Sequence, residues 1–449
     1  MKEIDSYDSL IRLLSSLQED QQESVPTGTF GRTLRTARAA AGVGFQVLTG
    51  KLRNRPEGEG VPDLEAVQKL VQRFGKLKGL AMKAGQMFSY LDASMSPDVQ
   101  KLLGVLQTQS QPTSWDKVEQ TVLEDLGDPG KTLVQCMARK PISVASIGQV
   151  HRATLPDGVQ VAVKVRHPGI VEAFESDFGA AKIAPVFARL VVPGGGATVS
   201  GFVDEMRQRM LEECDFELEA KRQQRFRELL AEDRWVVVPE VLPGWSATRV
   251  LVTRWESGMG LEEFLQSSPS QEQRNHIGEA LFDIYFGTLY RHGLFHADPH
   301  PGNYAFTPEG KVILYDFGCA REFHRDTVRS LAQLAHAVAD DDEQSIRSAF
   351  VAMGGRVPDS KGAYQHVREL SRSFFSPLLQ KGKRRVDSGS DALDMAQVFK
   401  NKKMLMKLQL PGKFMFLFRI RYGLYAVLAR IGCECDWYEM EHALAAEAL

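Results

Sequence analysis

The chain has 449 residues, 43% of them hydrophobic and 25% charged, which excludes a mainly disordered or fibrous protein. Its 55 Lys and Arg against 57 Asp and Glu give a formal charge of -2, so no global basic field for nucleic acid exists. Cys136, Cys214, Cys319, Cys433 and Cys435 are too scattered for a disulfide framework and fit a reducing compartment.

The first 25 residues carry six acids and two bases with no apolar run, the pattern of neither a secretory signal nor a transit peptide, so a cytoplasmic protein is expected. Phe30, Leu34, Ala37, Ala41, Phe45, Leu48 and Leu52 recur at steps of three and four and predict one helix face. Arg32, Arg35, Arg38, Lys51, Arg53 and Arg55 surround that stripe without an intervening acid. The stripe is expected to dock on its own domain, with peripheral contact to an anionic membrane as the alternative. The segment from Pro56 to Pro62 reads as a linker, and Leu64, Val67, Leu70, Val71, Phe74, Leu77, Leu80, Ala81 and Ala84 predict a second helix.

Strand patterns follow. Residues 159–165 alternate in part after an Asp157-Gly158 turn, and 235–239 and 248–253 are further strand candidates. Helical patterns return from Leu261, interrupted by a short hairpin with arms at 304–306 and 311–316. The apolar stretch Phe414–Arg430 contains Arg419, Arg421 and Arg430. A charge near a bilayer centre costs about 2.5–3.5 kcal/mol, so this stretch predicts a buried core helix rather than a membrane span. Cys433-x-Cys435 has no second cysteine pair nearby and reads as a turn rather than a metal site. The fold class expected is α+β, with a small sheet lobe and a helical lobe.

The strongest chemical signal is His296-Ala-Asp298-Pro-His-Pro-Gly-Asn303, which has the H-x-D-x-x-x-x-N spacing of a kinase catalytic loop, followed by Asp316-Phe317-Gly318. Phosphoryl transfer needs a divalent cation to neutralise phosphate oxygens, and Asn303 and Asp316 are the oxygen donors for it. Asp298 would orient the attacking hydroxyl or water. Upstream, Val161-Ala-Val-Lys164 matches V-A-I-K, and a lysine within an apolar strand requires partners. The hairpin before it lacks G-x-G-x-x-G. Ser143, Val144, Ala145 and Ser146 place side chains where a nucleotide phosphate would approach, and Gly148 is the one glycine left. Glu213, Asp215 and Glu219 fall on a predicted helix, with Asp215 and Glu219 as repelling i,i+4 neighbours unless cations intervene.

The loop Ser143-Val-Ala-Ser-Ile-Gly-Gln-Val150 resembles the alanine-rich loop of the UbiB/AarF-domain (ABC1-type) atypical kinases. Lys83-Ala-Gly-Gln86 resembles that family's K-x-G-Q signature, Glu213-Cys-Asp215 its E-x-D motif, and residues 295–303 its catalytic loop. The resemblance implies an atypical protein-kinase-like two-lobed fold with an N-terminal helical extension covering the active site. The expected division is 1–60, an N-terminal helical segment and linker; 61–130, the K-x-G-Q extension; 131–256, the N-lobe; and 257–449, the helical C-lobe. It implies ATP and Mg²⁺ as cofactors, and catalytic roles for Asp298, Lys164 and Glu219. Nucleotide binding falls to residues 143–146 with Lys164, metal binding to Asn303 and Asp316, and regulation to Lys83, Gln86, Glu213 and Asp215. Within that scheme Glu219 is assigned to Lys164, and Glu213 with Asp215 to Lys83. The implied function is ATP hydrolysis or phosphoryl transfer tied to quinone or isoprenoid-lipid metabolism, with a lipid-linked small molecule as partner.

Two departures stand out. Arg222 occupies a position where the family often has Asn, and Arg254-Trp255 replaces a Glu-aromatic pair. The paired C-terminal spans of some members are not evident, so any membrane association is expected to be peripheral. The competing functions are a small-molecule kinase of the aminoglycoside-phosphotransferase type, against which Lys83-x-Gly-Gln86 argues, and a nucleotide-gated lipid-binding protein.

Overall fold

The computed structural model describes residues 112–179, 207–357, 361–386 and 412–449. The described residues divide into two compact units, one formed by 112–152 with 163–179 and 207–215, and the other by 153–162 with 216–357, 361–386 and 412–449. The predicted helices at 30–52 and 64–84, with Lys83 and Gln86, lie outside the described residues.

In the first unit, α1 (Trp115–Leu126) and α2 (Asp128–Cys136) pack together, separated by Gly127 at φ 62°. A Cβ on Gly130 would stand 2.6 Å from the Val122 carbonyl, so only glycine permits this approach. β1 (Ser143–Val144) pairs antiparallel with β2 (Gly148–Thr154) in the register Ser143↔Val150. β3 (Gln160–Arg166) alternates fully. Val161, Val163 and Val165 are buried, while Lys164 lies on the half-open face. Residues 207–213 are helical, but the helix breaks at Cys214 and Asp215. Glu213 and Glu219 consequently lie on two helices rather than on the single one expected.

The second unit takes the tip of the β2–β3 hairpin, where Gly158 adopts φ 84° and Asp157 Oδ1 accepts from the Val159 amide. Beside it lies β5 (Val250–Arg254), and the Trp255 amide donates to the Gln160 carbonyl. α4 (Phe216–Leu229) buries Phe216, Glu219, Gln223 and Phe226, spaced as one helical face. β4 (Val236–Val237) runs parallel to β8 (Val312–Leu314), which pairs antiparallel with β7 (Tyr304–Phe306).

The core of this unit is built on α6 (Gln271–Phe282), a π-turn (Asp283–Gly287) and α7 (Thr288–His292), which follow without a break. Ser270 and Gln273 form a reciprocal capping box at the start of α6. Gly293, at φ 70°, ends the run and leads into β6 (Leu294–Phe295). A side chain there would meet the Phe323 carbonyl at 2.7 Å.

α8 (Arg325–Ala339), α11 (Gly412–Ile431) and α12 (Trp437–Ala448) enclose that run. α11 buries Leu417, Ile420, Leu424 and Leu428, as expected of a core helix. Among the described residues no helix is long and apolar enough to cross a membrane. Cys433 and Cys435 are buried, their Sγ atoms facing the carbonyls of Leu428 and Asn275 at 3.6 Å each. Among the described residues no group of three or more His, Cys, Asp or Glu side chains could hold a metal ion.

Candidate active site

The catalytic-loop motif lies between β6 and β7, and Asp316 follows β8. Hairpin register brings the two ends together: the Tyr315 amide donates to the Asn303 carbonyl at 2.8 Å. Asn303 and Asp316 are thus held by adjacent strand ends. Asn303 Nδ2 donates to the Asp298 carbonyl at 3.3 Å, which leaves its Oδ1 as the atom available to a cation. Two oxygen donors without thiolate or imidazole suit a hard ion that keeps waters and phosphates in its shell. The residues present therefore fit Mg²⁺.

Asp298 is fixed through its backbone. Its carbonyl also accepts from Tyr285 Oη at 2.8 Å, and its Oδ1 accepts from the His300 amide at 3.3 Å. Tyr285 sits inside the π-turn, where the helix carries an extra residue per turn; such turns often mark functional sites. Beneath the loop, the Tyr304 hydroxyl donates to the Pro299 carbonyl. Gly423 on α11 leaves room for the Pro299 ring, since a Cβ there would lie 2.5 Å from Pro299 Cγ.

His296 is buried, and its Nε2 lies 2.6 Å from the Asp316 carbonyl. A carbonyl only accepts, so Nε2 carries the proton. Burial holds the imidazole pKa below its usual value, outweighing the hydrogen bond to Asp316, and keeps the ring neutral. The ring lies edge-on to Phe226, Tyr285 and Phe317. The Gly318 amide donates to Asp316 Oδ1 at 3.0 Å and so orients the carboxylate. Arg222 donates to the Gly318 carbonyl at 2.8 Å.

In the first unit, residues 143–150 form a tight hairpin rather than an open loop, closed by the Ala145 amide donating to the Gly148 carbonyl. Gly148 has a packing role: a Cβ would stand 2.6 Å from the Val165 carbonyl. The His167 amide donates to the Ile147 carbonyl, and the His167 ring bridges Thr113 Oγ1 at 2.7 Å and the Ala145 carbonyl at 3.2 Å. Gln149 accepts from the Thr113 amide and contacts His151, whose Nδ1 faces the Ala138 carbonyl. The hairpin that replaces the glycine-rich loop is therefore clamped from two sides.

Lys164, Glu213 and Asp215 belong to the first unit, while Glu219, Asp298, Asn303 and Asp316 belong to the second. Within the second unit the structure brings Asp298, Asn303 and Asp316 together. Sequence reasoning missed Tyr285, His167 and Gly423. None carries a motif, since each acts through a tertiary contact. Arg222 was visible only as a departure from a family pattern. At the end of β5, Arg254 pairs with Glu240 at 3.0 Å, and Trp255 Nε1 donates to Ser257.

The chain is similar to proteins described as atypical kinases. The chain is 30% identical over 282 residues to the zebrafish atypical kinase COQ8B, mitochondrial, covering 62% of this chain and 44% of the relative. It is 27% identical over 343 residues to the yeast atypical kinase COQ8, mitochondrial, covering 74% and 68%. A Synechocystis relative is matched over 47% of its length, so the chain spans about half of some of these proteins. Among solved structures, Rv3197 of Mycobacterium tuberculosis in complex with erythromycin superposes with a TM-score of 0.61 at 26% identity, covering 85% of this chain and 96% of that one. That likeness gives the chain a kinase-like α+β fold. The ABC1 atypical kinase-like domain matches residues 105–350, more than half of the chain, and the protein belongs to that family.

Proposed function

We propose that the protein binds ATP with Mg²⁺ and either hydrolyses it or transfers its terminal phosphoryl group to a small or lipid-linked acceptor in quinone or isoprenoid-lipid metabolism. The observation that carries this reading is the hydrogen bond from the Tyr315 amide to the Asn303 carbonyl, which holds Asn303 against the residue before Asp316, while Asn303 Nδ2 donates to the Asp298 carbonyl. When bound, the cation would neutralise charge on the phosphate oxygens. Asp298, held through its carbonyl by Tyr285 and Asn303, would orient the attacking hydroxyl or water. Neutral His296 keeps the Asp316 turn in place without adding charge. The roles of Lys164, the 143–146 hairpin and Glu219 toward the nucleotide phosphates rest on the resemblance. The regulatory roles of Lys83, Gln86, Glu213 and Asp215 follow from the resemblance alone.

A second reading, a nucleotide-gated binder of hydrophobic small molecules, draws support from the macrolide in the mycobacterial relative's structure. The complete set of proposed catalytic and metal residues favours the enzyme.

The test is nucleotide affinity of the purified protein with and without Mg²⁺, together with phosphate release with and without anionic vesicles. Asp316→Asn is expected to abolish the Mg²⁺-dependent part of nucleotide binding. Unchanged Mg-ATP affinity in that variant would overturn the assignment.

A further inference from the structure

We infer that Arg222 is a positioning residue that holds the Asp316-Phe317-Gly318 turn in its metal-ready setting. The inference rests on the proposed Mg-nucleotide site and deepens it.

Gly318 is the one residue of the turn without a Cβ, and so the point at which its backbone is most free to swing. Both of its backbone groups are occupied. Its amide donates to Asp316 Oδ1 at 3.0 Å and sets the direction of that carboxylate. Its carbonyl, on the other peptide plane, accepts from Arg222 Nη1 at 2.8 Å. Rotation at Gly318 would therefore break a hydrogen bond on one side or the other.

Arg222 stands on α4 between Glu219 and Phe226, at helical steps of three and four. Phe226 packs on Phe317 at 5.3 Å between ring centroids and on His296 at 5.8 Å. Helix α4 thus grips the turn twice, through an apolar ring contact and through a charged donor. A hydrogen bond from a charged group is stronger than a neutral one, and the planar guanidinium reaches the carbonyl in a fixed direction. The short Asn side chain often found at this position in the family has neither the reach nor the charge of Arg222. This chain therefore ties its glutamate-bearing helix to the metal turn by a side chain of its own.

If the turn is correctly set for only a fraction of the time, apparent metal affinity falls by that fraction. The experiment titrates Mg²⁺ against a fluorescent ATP analogue in the full chain as wild type, Arg222→Ala and Arg222→Lys, and measures analogue binding without metal. Backbone hydrogen exchange of residues 316–320 is followed in the absence of ligand. Arg222→Ala is expected to raise the Mg²⁺ midpoint by about tenfold and to speed exchange in the turn, with metal-free analogue binding unchanged. Arg222→Lys, which keeps a charged donor, should fall between. Arg222 is half-buried on a helix surface, so both variants should fold, and thermal unfolding checks this.

A wild type with Mg²⁺-dependent binding and variants with the same midpoint and exchange would overturn the inference while leaving the proposed function intact. Equal loss of metal-free binding would also overturn it, because Arg222 would then act on the nucleotide itself. Absence of Mg²⁺-dependent binding in the wild type would overturn both.

Discussion

Arg421 and Glu441 face each other as a two-pronged ion pair at 2.8 and 3.0 Å, both fully buried. Tyr290 donates to the same carboxylate at 2.5 Å, and the guanidinium lies 3.8 Å from the Phe286 ring centroid. This pair explains how a helix as apolar as α11 carries an arginine in its buried face. Burial raises the Tyr290 pKa well above its usual value, so the phenol stays a donor.

Breaking such a pair from one side strands the other charge. Arg421→Met is therefore expected to destabilise the protein by about 3–5 kcal/mol, and Glu441→Leu similarly. The double variant should cost less than the sum. Denaturant unfolding of the four proteins measures the coupling, and additive losses would show that the pair does not act as a unit.

Gly423→Ala is a second test. Ala normally favours a helix interior by about 1 kcal/mol over Gly. Here the added methyl would lie 2.5 Å from the stiff Pro299 ring, so a loss of about 1–3 kcal/mol is expected, with displacement of the Asp298 loop. Thermal unfolding and ATP turnover should both fall. A gain in stability with unchanged turnover would mean that α11 does not support the loop.

The clamped hairpin makes a paired prediction. Gly148→Ala should push β2 away from β3, costing about 1–3 kcal/mol, because its Cβ would strike a backbone carbonyl. Ala145 is exposed, so Ala145→Gly should barely affect stability while altering nucleotide affinity and raising autophosphorylation. Unfolding curves and labelled-phosphate incorporation separate the two effects. Equal behaviour of both variants would argue against distinct packing and phosphate-facing roles.

His151 gives a pH dependence. It is fully buried, and desolvation lowers its pKa from the usual 6.5, partly offset by the hydrogen bond to the Ala138 carbonyl. A group whose folded pKa is depressed contributes stability that is present above its unfolded pKa and lost as pH falls through the folded value. The denaturation midpoint should therefore drop as pH is lowered from about 6.5. His151→Asn should start less stable and show a shallower decline. The remaining slope would come from His292, His296 and His442, whose pKa values are also lowered. An identical pH profile in the variant would assign the whole dependence elsewhere.

The local arrangement of the candidate site in the second unit was legible in residue order. His296, Asp298, Asn303 and Asp316 are close in the chain and joined by one short hairpin, so their spacing sets their geometry through local strand register alone. The Asp157-Gly158 turn and the apolar α11 were legible for the same local reason. Tertiary structure decided everything that depends on distant segments meeting. The alternation of β3 did not reveal that Lys164 lies on the half-open face, because burial depends on what packs against each side of the sheet. The acidic spacing at 213–219 suggested one helix, yet the helix is interrupted at Cys214 and Asp215, just before the Phe216 amide donates to the distant Thr248 carbonyl. Gly148 read as the remnant of a phosphate loop, and only the approach of Val165 shows it to be a packing glycine. Arg421 looked like an interruption of an apolar run until Glu441, 20 residues away, arrived to neutralise it. Short-range backbone geometry can be read from residue order; the partner that makes a buried charge or a missing side chain tolerable is chosen by packing.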